Sequence, residues 1–386
     1  MKKILFVINN LETGGVQKSL LNLLTEIRHP YDITLLTFWG NRAFEAQLPE
    51  NVRLIKAKGP FRQLGLSATH TKGHPFWYLE RVFWMVLTKL FGRSFAIQCM
   101  CVGRRRYGDY DVAISFIHEA SQNVLYGGCN EFVLKMVRAD KKLGWLHCDF
   151  AQSGANNAQS ARIYAALDGV VACSEGCRRS FAACLPTLAH KAVTVRNCHE
   201  YAAIRALAGD GIAYDCDRFH IVTVARLAEE KGIERMLKAL AEAKARGFAV
   251  QYHLVGDGDR RTALEAMVAE LGLADSVTFY GNQPNPYPYI KNADLFVLPS
   301  YHEAAPMVFD EAACLGVPVL ATATTSTDDM ITAAGAGFVC DNTQEALTAA
   351  LLDILADPAP LKRIAAQLAA RPFDNEAARQ ALAAVL

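Results

Sequence analysis

The fold is decided by one stretch of the sequence, Leu295-Phe-Val-Leu-Pro-Ser300-Tyr-His-Glu303-Ala-Ala-Pro306-Met-Val-Phe-Asp-Glu311-Ala-Ala-Cys-Leu-Gly316-Val-Pro318-Val-Leu-Ala-Thr322. Its two apolar runs, residues 295–299 and 317–322, are short, whereas residues 307–315 between them have helical periodicity. A strand, a helix and a second strand in this order predict a right-handed βαβ unit with buried parallel strands.

The same alternation extends over almost the whole chain. Short apolar runs predict strands at residues 4–8, 33–38, 112–116, 143–147, 170–174, 193–195, 221–225, 252–255, 277–280, 295–299, 317–322 and 338–340. Helical stretches between them include residues 19–27, 233–247, 262–271, 307–315 and 344–355. Strands separated by helices form buried parallel sheets, so the predicted fold class is α/β with doubly wound sheets.

The chain is long enough for more than one domain. Its 386 residues exceed the roughly 150 residues of one ordinary domain. Ala, Gly and Asp interrupt the alternation around residues 201–218, before a new strand begins at Phe219. We therefore predict two Rossmann-like domains, residues 1–205 and 206–386, with the last helix packing back on the first domain. Two such domains side by side leave a cleft that faces the carboxyl ends of both sheets, where open α/β sheets bind ligands.

The composition is that of a globular protein, with 52% hydrophobic and 20% charged residues. The net charge of +1 argues against a nucleic-acid-binding protein, because the two signs nearly cancel. Met1-Lys2-Lys3 runs into an apolar segment too short for a secretory signal, which predicts a cytoplasmic protein. The eleven cysteines are then expected to be reduced thiols that pack as small apolar side chains, without metal-ligand spacing.

Two cations follow the first strand of the second domain. Arg226 ends that strand, and Lys231 precedes Gly232 and a helix. Cations beside a helix start at the carboxyl edge of a parallel sheet suit a diphosphate, and two solvated surface charges are the alternative interpretation. The next strand runs into Gly256-Asp-Gly258, a turn of the kind that lets backbone come close to a ligand.

Two carboxylates flank a helix start in the stretch quoted first. Glu303 lies in the loop after a strand, and Glu311 falls within the following helix. The helix N-terminus offers free N–H groups to an anion. The residues that lead into it are Ala304, Ala305, Pro306, Met307 and Val308. A carboxylate on each side of such a terminus can bind hydroxyls of two different sugar rings.

Taken together, these residues resemble family 4 of the retaining glycosyltransferases, which have the GT-B fold. The matching parts, in order and spacing, are Arg226 with Lys231, the Gly256-Asp-Gly258 turn, and Glu303 with Glu311 as the E-x7-E motif, followed by Gly316-Val-Pro318. The resemblance covers nearly the whole chain. It implies two Rossmann-like domains that face each other across a cleft.

The resemblance also implies roles for these residues. Glu303 would hold hydroxyls of a donor sugar and Glu311 would bind the ribose. Arg226 and Lys231 would neutralise the diphosphate of a nucleotide-sugar donor. The family usually has glycine after the first glutamate, where this chain has Ala304. A methyl group is tolerated there unless the position needs a positive φ, and it bears on the shape of the sugar pocket.

The first domain supports the same interpretation. Gly14-Gly15 lies between the first strand and a helix, where paired glycines let backbone N–H groups approach a phosphate or an incoming acceptor. The loop is neither G-x-G-x-x-G nor a Walker loop, so neither a dinucleotide nor an ATPase site follows. In the family this loop lies across the cleft from the diphosphate. Gln17 stands where glutamate is more usual.

A histidine, His147, ends the predicted strand 143–147. A lone histidine at a strand end is more often structural than catalytic, but in the family a histidine here faces the donor sugar. The predicted catalytic residues are therefore Glu303, His147, Arg226 and Lys231.

Three Asp-x-Asp pairs were considered as metal sites, because such pairs bind a divalent metal in the other large glycosyltransferase fold. They fall at a strand entry, in a linker and in a turn, namely Asp109/Asp111, Asp215/Asp217 and Asp257/Asp259. Since two cations already supply positive charge for the leaving group, we predict catalysis without a metal or other cofactor.

A basic and aromatic segment spans residues 53–106. It contains eleven Lys and Arg residues and one acid, Glu80, so its net charge is +10. Because the whole chain has a net charge of +1, the remaining residues carry −9. Within residues 75–91, a helix would place Arg81 and Thr88 on one edge, opposite a wide apolar face. Two interpretations stay open, a helix at an anionic membrane surface or a helix that packs its apolar face on the N-terminal sheet.

These inferences predict a retaining glycosyltransferase that takes a hexose-type sugar from a UDP- or GDP-sugar. A basic segment on a cytoplasmic enzyme suggests a glycan or lipid-linked acceptor in polysaccharide, lipopolysaccharide or glycolipid assembly, with the protein peripheral on the inner face of the plasma membrane. Two alternatives remain. One is a non-catalytic nucleotide-sugar-binding scaffold, motivated by Ala304 and Gln17, and the other is a GT-B epimerase acting on a UDP-sugar.

Overall fold

The computed structural model describes residues 1–12, 14–27, 29–40, 42–71, 74–209, 212–215 and 217–386. The chain divides into two compact units. Unit 1 comprises Met1–Cys198 and Asn375–Leu386, and unit 2 comprises His199–Asp374. The predicted boundary at residues 205 and 206 lies inside the first helix of unit 2, Tyr201–Leu207, whose Ile204 packs into the core of that unit.

Within the described ranges, unit 1 has a seven-stranded sheet of order β3-β2-β1-β4-β5-β6-β7, and all neighbouring strands pair in parallel. The strands are β1 (Lys3–Leu11), β2 (Asp32–Gly40), β3 (Val52–Lys56), β4 (Tyr107–Ser115), β5 (Val137–Leu146), β6 (Gly169–Ala172) and β7 (Ala192–Thr194). The helices are α1 (Gly15–Glu26), α2 (Arg42–Glu45), α3 (Pro75–Phe91), α4 (Arg93–Cys101), α5 (Cys129–Met136), α6 (Ala158–Ala166) and α7 (Glu175–Cys184).

The strand β1 shows why the sheet is covered on both faces. Ile4, Phe6 and Ile8 belong to one apolar cluster, together with side chains of α1. Leu5 and Val7 belong to another, together with side chains of α4 and α5. Successive side chains of a strand point to opposite faces, so a strand buried on both faces is a continuous apolar run. This is the pattern that predicted the strand.

The edge strand β3 was not predicted from the sequence. Only Val52 of its five residues is buried, and the others are half-buried or exposed. An edge strand that carries Arg53 and Lys56 lacks the continuous apolar run of a central strand.

Unit 2 has, over its described residues, a six-stranded parallel sheet of order β10-β9-β8-β11-β12-β13. Its helices, beginning with Tyr201–Leu207 as α8, are α9 (Ile233–Ala245), α10 (Arg261–Glu270), α11 (Tyr287–Lys291), α12 (Met307–Cys314), α13 (Gln344–Ala356) and α14 (Ala359–Ala370). The strands are β8 (Phe219–Val224), β9 (Val250–Val255), β10 (Val277–Gly281), β11 (Leu295–Leu298), β12 (Val319–Thr322) and β13 (Gly337–Cys340). Two parallel sheets with helices on both faces confirm the predicted α/β, Rossmann-like fold class.

The chain returns to unit 1 in its last helix, α15 (Glu376–Val385). Leu382 and Leu386 are buried in the apolar cluster that contains β1. Lys2 Nζ donates to the carbonyl oxygen of Leu386 at 2.6 Å, and Lys141 Nζ donates to that of Val385 at 2.7 Å. Unit 2 is therefore inserted between two parts of unit 1.

The predicted helix over residues 75–91 is α3, and its edge with Arg81 and Thr88 faces inward. Within the described range 74–209, Thr88 is the one fully buried residue of this helix, and Arg81 Nη1 donates to the carbonyl oxygen of Gln63 at 3.2 Å. On the opposite face, Leu79 is 65% exposed and Phe83 is 58% exposed. The interpretation that the apolar face packs on the N-terminal sheet is therefore wrong.

None of the described helices combines the length and the apolar character that a membrane crossing requires.

Candidate functional site

The candidate site of unit 2 lies where β8 and β11 end, at Val224 and Leu298. These strands pair in parallel, so the loops that follow them meet at the same edge of the sheet. Arg226 and Lys231 lie in the loop after β8, and Glu303 lies in the loop after β11. The structure therefore brings predicted residues of two separate motifs to one edge.

The most direct contact of the site joins Lys231 to Glu303. Nζ of Lys231 lies 2.5 Å from Oε1 of Glu303, and the Ser300 hydroxyl donates to the same oxygen at 2.9 Å. The two charged side chains are only 21% and 12% exposed, so water screens the pair weakly. Both bonds use Oε1, so Oε2 of Glu303 can accept a hydrogen bond from a sugar hydroxyl.

The two loops are also joined through their backbones. The N–H of Tyr301 donates to the carbonyl oxygen of Glu230 at 2.9 Å, and the guanidinium of Arg235 lies 4.3 Å from the centre of the Tyr301 ring. Gly232 has a φ of 60°, and a Cβ there would lie 2.3 Å from the carbonyl oxygen of Pro299. Glycine therefore allows the Lys231 loop to approach the Glu303 loop this closely.

The guanidinium of Arg226 points to the surface. Its side chain is 69% exposed and forms an ion pair with Glu230, four residues along the chain. Desolvation raises the pKa of Glu230, but its own backbone N–H and the charge of Arg226 outweigh this and lower it. A pair this exposed is worth little free energy. A diphosphate, which carries more negative charge than one carboxylate, can replace Glu230 as the partner of Arg226.

The Gly256-Asp-Gly258 turn packs against the loop that carries Arg226. Gly256 has a φ of 135°, and a Cβ there would lie 1.9 Å from the carbonyl oxygen of Ala225. A Cβ at Gly258 would lie 2.2 Å from the carbonyl oxygen of Leu227. The glycines therefore let the turn pack against the backbone on both sides of Arg226. Contact of Gly256 with a donor stays a prediction.

The backbone of Ala304 is unstrained, although the family usually has glycine there. Among the described non-glycine residues, Asp109 alone has a positive φ. A methyl group at residue 304 therefore costs no backbone strain. The carbonyl oxygen of Ala304 accepts a hydrogen bond from the Ser326 hydroxyl, which ties this loop to the segment after β12.

The helix start that follows is formed as predicted, with Pro306 as the residue before α12 and Met307 as its first residue. The N–H groups of a first helical turn have no partner within the helix, so they can bind an anion. Ala305 and Val308 are half-buried against the core of unit 2. Glu311 is 3% exposed. Donor contacts of Ala305, Met307, Val308 and Glu311 stay predictions.

Sequence reasoning did not select Ser300, Tyr301 or Ser326, although all three hold the site together. Ser300 and Tyr301 lie in the quoted motif; Ser300 contacts Glu303 within the same loop, and the partner of Tyr301 is Glu230 in the loop after β8. Ser326 lies outside the motif. A pattern along one segment carries no signal for contacts of this kind.

In unit 1, the paired glycines lie exposed at the start of α1. Gly14 is extended, with a φ of −177°, and its carbonyl oxygen accepts from the N–H of Lys18 at 3.0 Å. A Cβ at Gly15 would meet no atom within 4 Å. Packing inside the chain therefore does not require glycine at residue 15, and the open space in front of it is what the approach of a ligand requires.

The structure explains why residue 17 is glutamine. Gln17 is buried, and its Nε2 donates to Oδ1 of Asn10 at 2.9 Å and to the carbonyl oxygen of Asn10 at 3.4 Å. Nδ2 of Asn10 in turn donates to the Tyr126 hydroxyl at 2.7 Å. Both partners of residue 17 are acceptors, so an ionised glutamate could not make these two hydrogen bonds.

At the carboxyl edge of the unit 1 sheet, His147 directly follows β5. Its ring lies 4.7 Å from that of Phe116 and is stacked on that of Trp145. Burial and the neighbouring His118 lower the pKa of His147 to about 3, and burial lowers that of His118 to about 4. Both imidazoles are therefore neutral near pH 7.

Two of these imidazole nitrogens are buried without a hydrogen-bond partner among the described residues, Nε2 of His147 and Nδ1 of His118. Buried polar atoms in native proteins are normally satisfied, so such atoms indicate a polar ligand or water. His118 follows β4, the neighbour of β5. Sequence reasoning missed it, because the predicted strand ended two residues earlier and no motif included it.

The Asp-x-Asp pairs have partners in the protein. Asp109 lies 3.3 Å from Arg138, and Asp111 accepts from the N–H of Lys3 at 2.6 Å. Asp257 accepts from the N–H of Gly258 at 2.8 Å. Across the described ranges, no group of three or more His, Cys, Asp or Glu side chains is placed to hold a metal ion.

Residues 213–371, all within unit 2, match the family Glycosyl transferases group 1. The chain is 28% identical over 179 residues to the putative colanic acid biosynthesis glycosyltransferase WcaL of Salmonella typhimurium, covering 43% of this chain and 44% of WcaL. It is 32% identical over 151 residues to the lipopolysaccharide core biosynthesis glycosyltransferase LpsD of Rhizobium meliloti, covering 39% of this chain and 43% of LpsD. The matched part thus spans less than half the length of these curated relatives.

Solved structures extend the likeness of fold to the full chain. Anabaena Alr3699/HepE in complex with UDP aligns with a TM-score of 0.68 at 18% identity, covering 100% of this chain and 99% of HepE. The lipopolysaccharide outer core galactosyltransferase WaaB aligns with a TM-score of 0.63 at 15% identity, covering 100% of both chains. The chain therefore has the GT-B fold, and its residues 213–371 resemble the family Glycosyl transferases group 1.

Proposed function

We propose that this protein is a retaining glycosyltransferase of family 4 that transfers a hexose-type sugar from a UDP- or GDP-sugar to a glycan or lipid-linked acceptor. The observation that carries the proposal is the contact between Lys231 and Glu303, 2.5 Å apart within the region that matches the family. A cation suited to a diphosphate beside a carboxylate suited to a sugar supports a donor site at this edge of the sheet. Relatives named for colanic acid and lipopolysaccharide core biosynthesis support cell-surface polysaccharide, lipopolysaccharide or glycolipid assembly as the setting.

The donor is assigned to unit 2. Arg226 and Lys231 bind the diphosphate, assisted by the N-terminal N–H groups of α12. Oε2 of Glu303 accepts from a sugar hydroxyl, and Glu311 binds the ribose. The structure of HepE with UDP and glucose supports a uridine nucleotide over a guanosine nucleotide as the first donor to test.

The reaction is a front-face displacement. The acceptor hydroxyl attacks the anomeric carbon on the face from which the diphosphate leaves, and the departing phosphate oxygen takes the hydroxyl proton. One C–O bond forms as another breaks. Because attack and departure take place on the same face, the configuration of the anomeric carbon is retained without a protein nucleophile. The protein contributes position and charge, since Lys231 and Arg226 stabilise the negative charge that develops on the leaving group. A contact of His147, a residue of unit 1, with the sugar stays a prediction.

The two cations make a divalent metal unnecessary in this mechanism. Transfer that is abolished by EDTA and restored by Mg²⁺ would contradict this part of the proposal. The compartment we propose is the cytoplasm, because all ten described cysteines are free thiols, as in a reducing environment.

Thermal shift with nucleotides tests the donor site directly. A ligand at a hundred times its dissociation constant adds about 2.7 kcal/mol to the free energy of unfolding. We expect a shift with one nucleotide family, UDP or GDP and its sugars, and a smaller shift for Lys231→Ala. A shift that the variant retains in full would contradict the role of Lys231. The absence of any shift with UDP, GDP, ADP or their sugar conjugates would contradict the donor site.

A further inference from the structure

Helix α3 leaves an apolar stripe exposed, whereas the apolar stripe of an ordinary surface helix points to the core. The half-buried or buried positions lie on one side of the helix and are Trp77, Glu80, Arg81, Trp84, Leu87 and Thr88. The positions of the opposite face recur at helical spacing and are all large and apolar. They are Leu79, Phe83, Val86 and Leu90, between 51% and 69% exposed.

Polar contacts fix this orientation. Glu80 accepts from Arg62 at 2.6 Å and from Nε2 of Gln63 at 2.9 Å. Arg81 donates to the carbonyl oxygen of Gln63 at 3.2 Å. Rolling the helix to bury its apolar face would break all three contacts. The outward apolar face is therefore built into unit 1.

More apolar side chains are exposed on α3, on α4 and directly after α4, and the rings of Phe91 and Phe95 are in contact, with centroids 5.1 Å apart. Further apolar side chains with large exposure are Phe76 (72%), Phe91 (61%), Phe95 (44%) and Val102 (76%). Large apolar residues scattered singly over a surface need no explanation, whereas a contiguous group indicates a binding surface.

The charge of residues 53–106 indicates which kind of surface the apolar face of α3 fits. Glu80, the single acid of residues 53–106, is already paired with Arg62. The described cations that are exposed include Lys58, Lys89 and the three arginines at residues 104–106, and Lys72 lies outside the described residues. Exposed apolar side chains flanked by unneutralised cations match an anionic lipid surface, which offers acyl chains below negative headgroups.

We propose that α3 lies flat in the interface of an anionic bilayer, with Leu79, Phe83, Val86 and Leu90 inserted among the acyl chains and the neighbouring cations on the headgroups. A 17-residue helix is about 26 Å long, shorter than the roughly 30 Å hydrocarbon core. An interfacial position is therefore the one that fits. A second copy of the chain fits less well, because a symmetric contact would bring two segments of charge +10 together.

Sedimentation of the full chain with vesicles tests this proposal. We expect binding to phosphatidylcholine vesicles that contain roughly one third phosphatidylglycerol, at least about tenfold weaker binding to phosphatidylcholine alone, and weakening as NaCl rises from ~0.1 M to ~0.5 M. Leu79→Ser with Phe83→Ser should reduce binding to the anionic vesicles by at least about tenfold.

The matched control replaces two exposed apolar residues elsewhere, Val193→Ser with Leu207→Ser, and should bind as the unchanged protein does. Thermal unfolding of both double variants checks that the fold is kept, and Leu90→Ser serves as a second test of α3. Absence of binding, equal binding to both vesicle types, or undiminished binding of the α3 variants would overturn the proposal. So would a dimer in light scattering that the α3 variants convert to monomer, because the face would then be covered by a second copy.

Discussion

Lys231 and Glu303 form an ion pair of 2.5 Å between two loops that are 72 residues apart in sequence. Each charge holds the other in place, so the cation assigned to the diphosphate is positioned without a donor. The Ser300 hydroxyl fixes the carboxylate from a second direction. A site that is ordered in advance loses less conformational entropy when the donor binds.

Replacing Lys231 by alanine should lower kcat roughly a hundredfold, equivalent to about 3 kcal/mol, because the charge on the departing diphosphate loses its partly buried partner. The measurement is the transfer rate with the nucleotide sugar that stabilises the protein most. Lys291→Ala removes the same charge from an exposed position of unit 2 and should leave the rate unchanged. Equal effects of the two substitutions would contradict the assigned role.

Gly15→Ala separates packing from ligand approach. The new methyl group meets no atom of the chain within 4 Å, so the free energy of unfolding should change by no more than about 1 kcal/mol. If donor or acceptor approaches the backbone at this point, transfer should fall by about tenfold or more. Gly209→Ala, at another exposed glycine, is the control for both measurements. Full activity of Gly15→Ala would remove Gly15 from the binding residues.

Gln17→Glu should destabilise the fold by about 1–3 kcal/mol at pH 7, because a buried carboxylate would face two acceptor oxygens of Asn10. Part of this loss should return near pH 4, where a protonated carboxyl can donate. Chemical denaturation of the variant and the unchanged protein at both pH values measures the difference. A loss that is the same at both pH values would show that charge is not its cause.

The buried histidines should make stability depend on pH. The pKa is lowered from 6.5 to about 3 for His147 and to about 4 for His118. Below pH 6.5 the unfolded chain therefore binds protons that the native state does not. The free energy of unfolding should then fall as pH decreases toward 4, by at most about 1.4 kcal/mol per pH unit for each histidine.

Replacing both histidines by glutamine should reduce this slope, whatever the stability at pH 7, and the part due to His253, whose pKa burial lowers to about 4, should remain. His190→Gln changes an exposed histidine and should not alter the slope. Denaturation of the three proteins between pH 4 and pH 7 is the measurement. An unchanged slope in the double variant would show that groups other than His118 and His147 cause the pH dependence of stability.

The central strands could be predicted because burial on both faces leaves a continuous apolar run, as in β1 and β11. The edge strand β3 could not, because one covered edge and mixed exposure remove that signal. For α3, periodicity correctly placed Arg81 and Thr88 on one edge. It could not determine which edge faces inward, because the contacts of Glu80 and Arg81 with residues 62 and 63 fix that orientation.

The chemistry of the unit 2 site was accessible from the sequence because its charges lie in local motifs. Arg226, Lys231 and Glu303 each follow a predicted strand, and parallel strands end at a common edge. The supporting residues were not accessible. Tyr301 acts through the carbonyl oxygen of Glu230, and His118 is distinguished only by its burial beside His147.

The return of α15 to unit 1 has a consequence for synthesis on the ribosome. The apolar cluster that receives Leu382 consists mostly of residues translated before unit 2, whereas Leu382 itself is translated only after all of unit 2. At about 5–20 residues per second, translating unit 2 takes roughly ten to thirty seconds. During that interval the apolar cluster of unit 1 lacks Leu382 and Leu386, while unit 2 can already fold as an uninterrupted segment. Unit 1, whose first 198 residues are translated before unit 2, is thus completed only after unit 2.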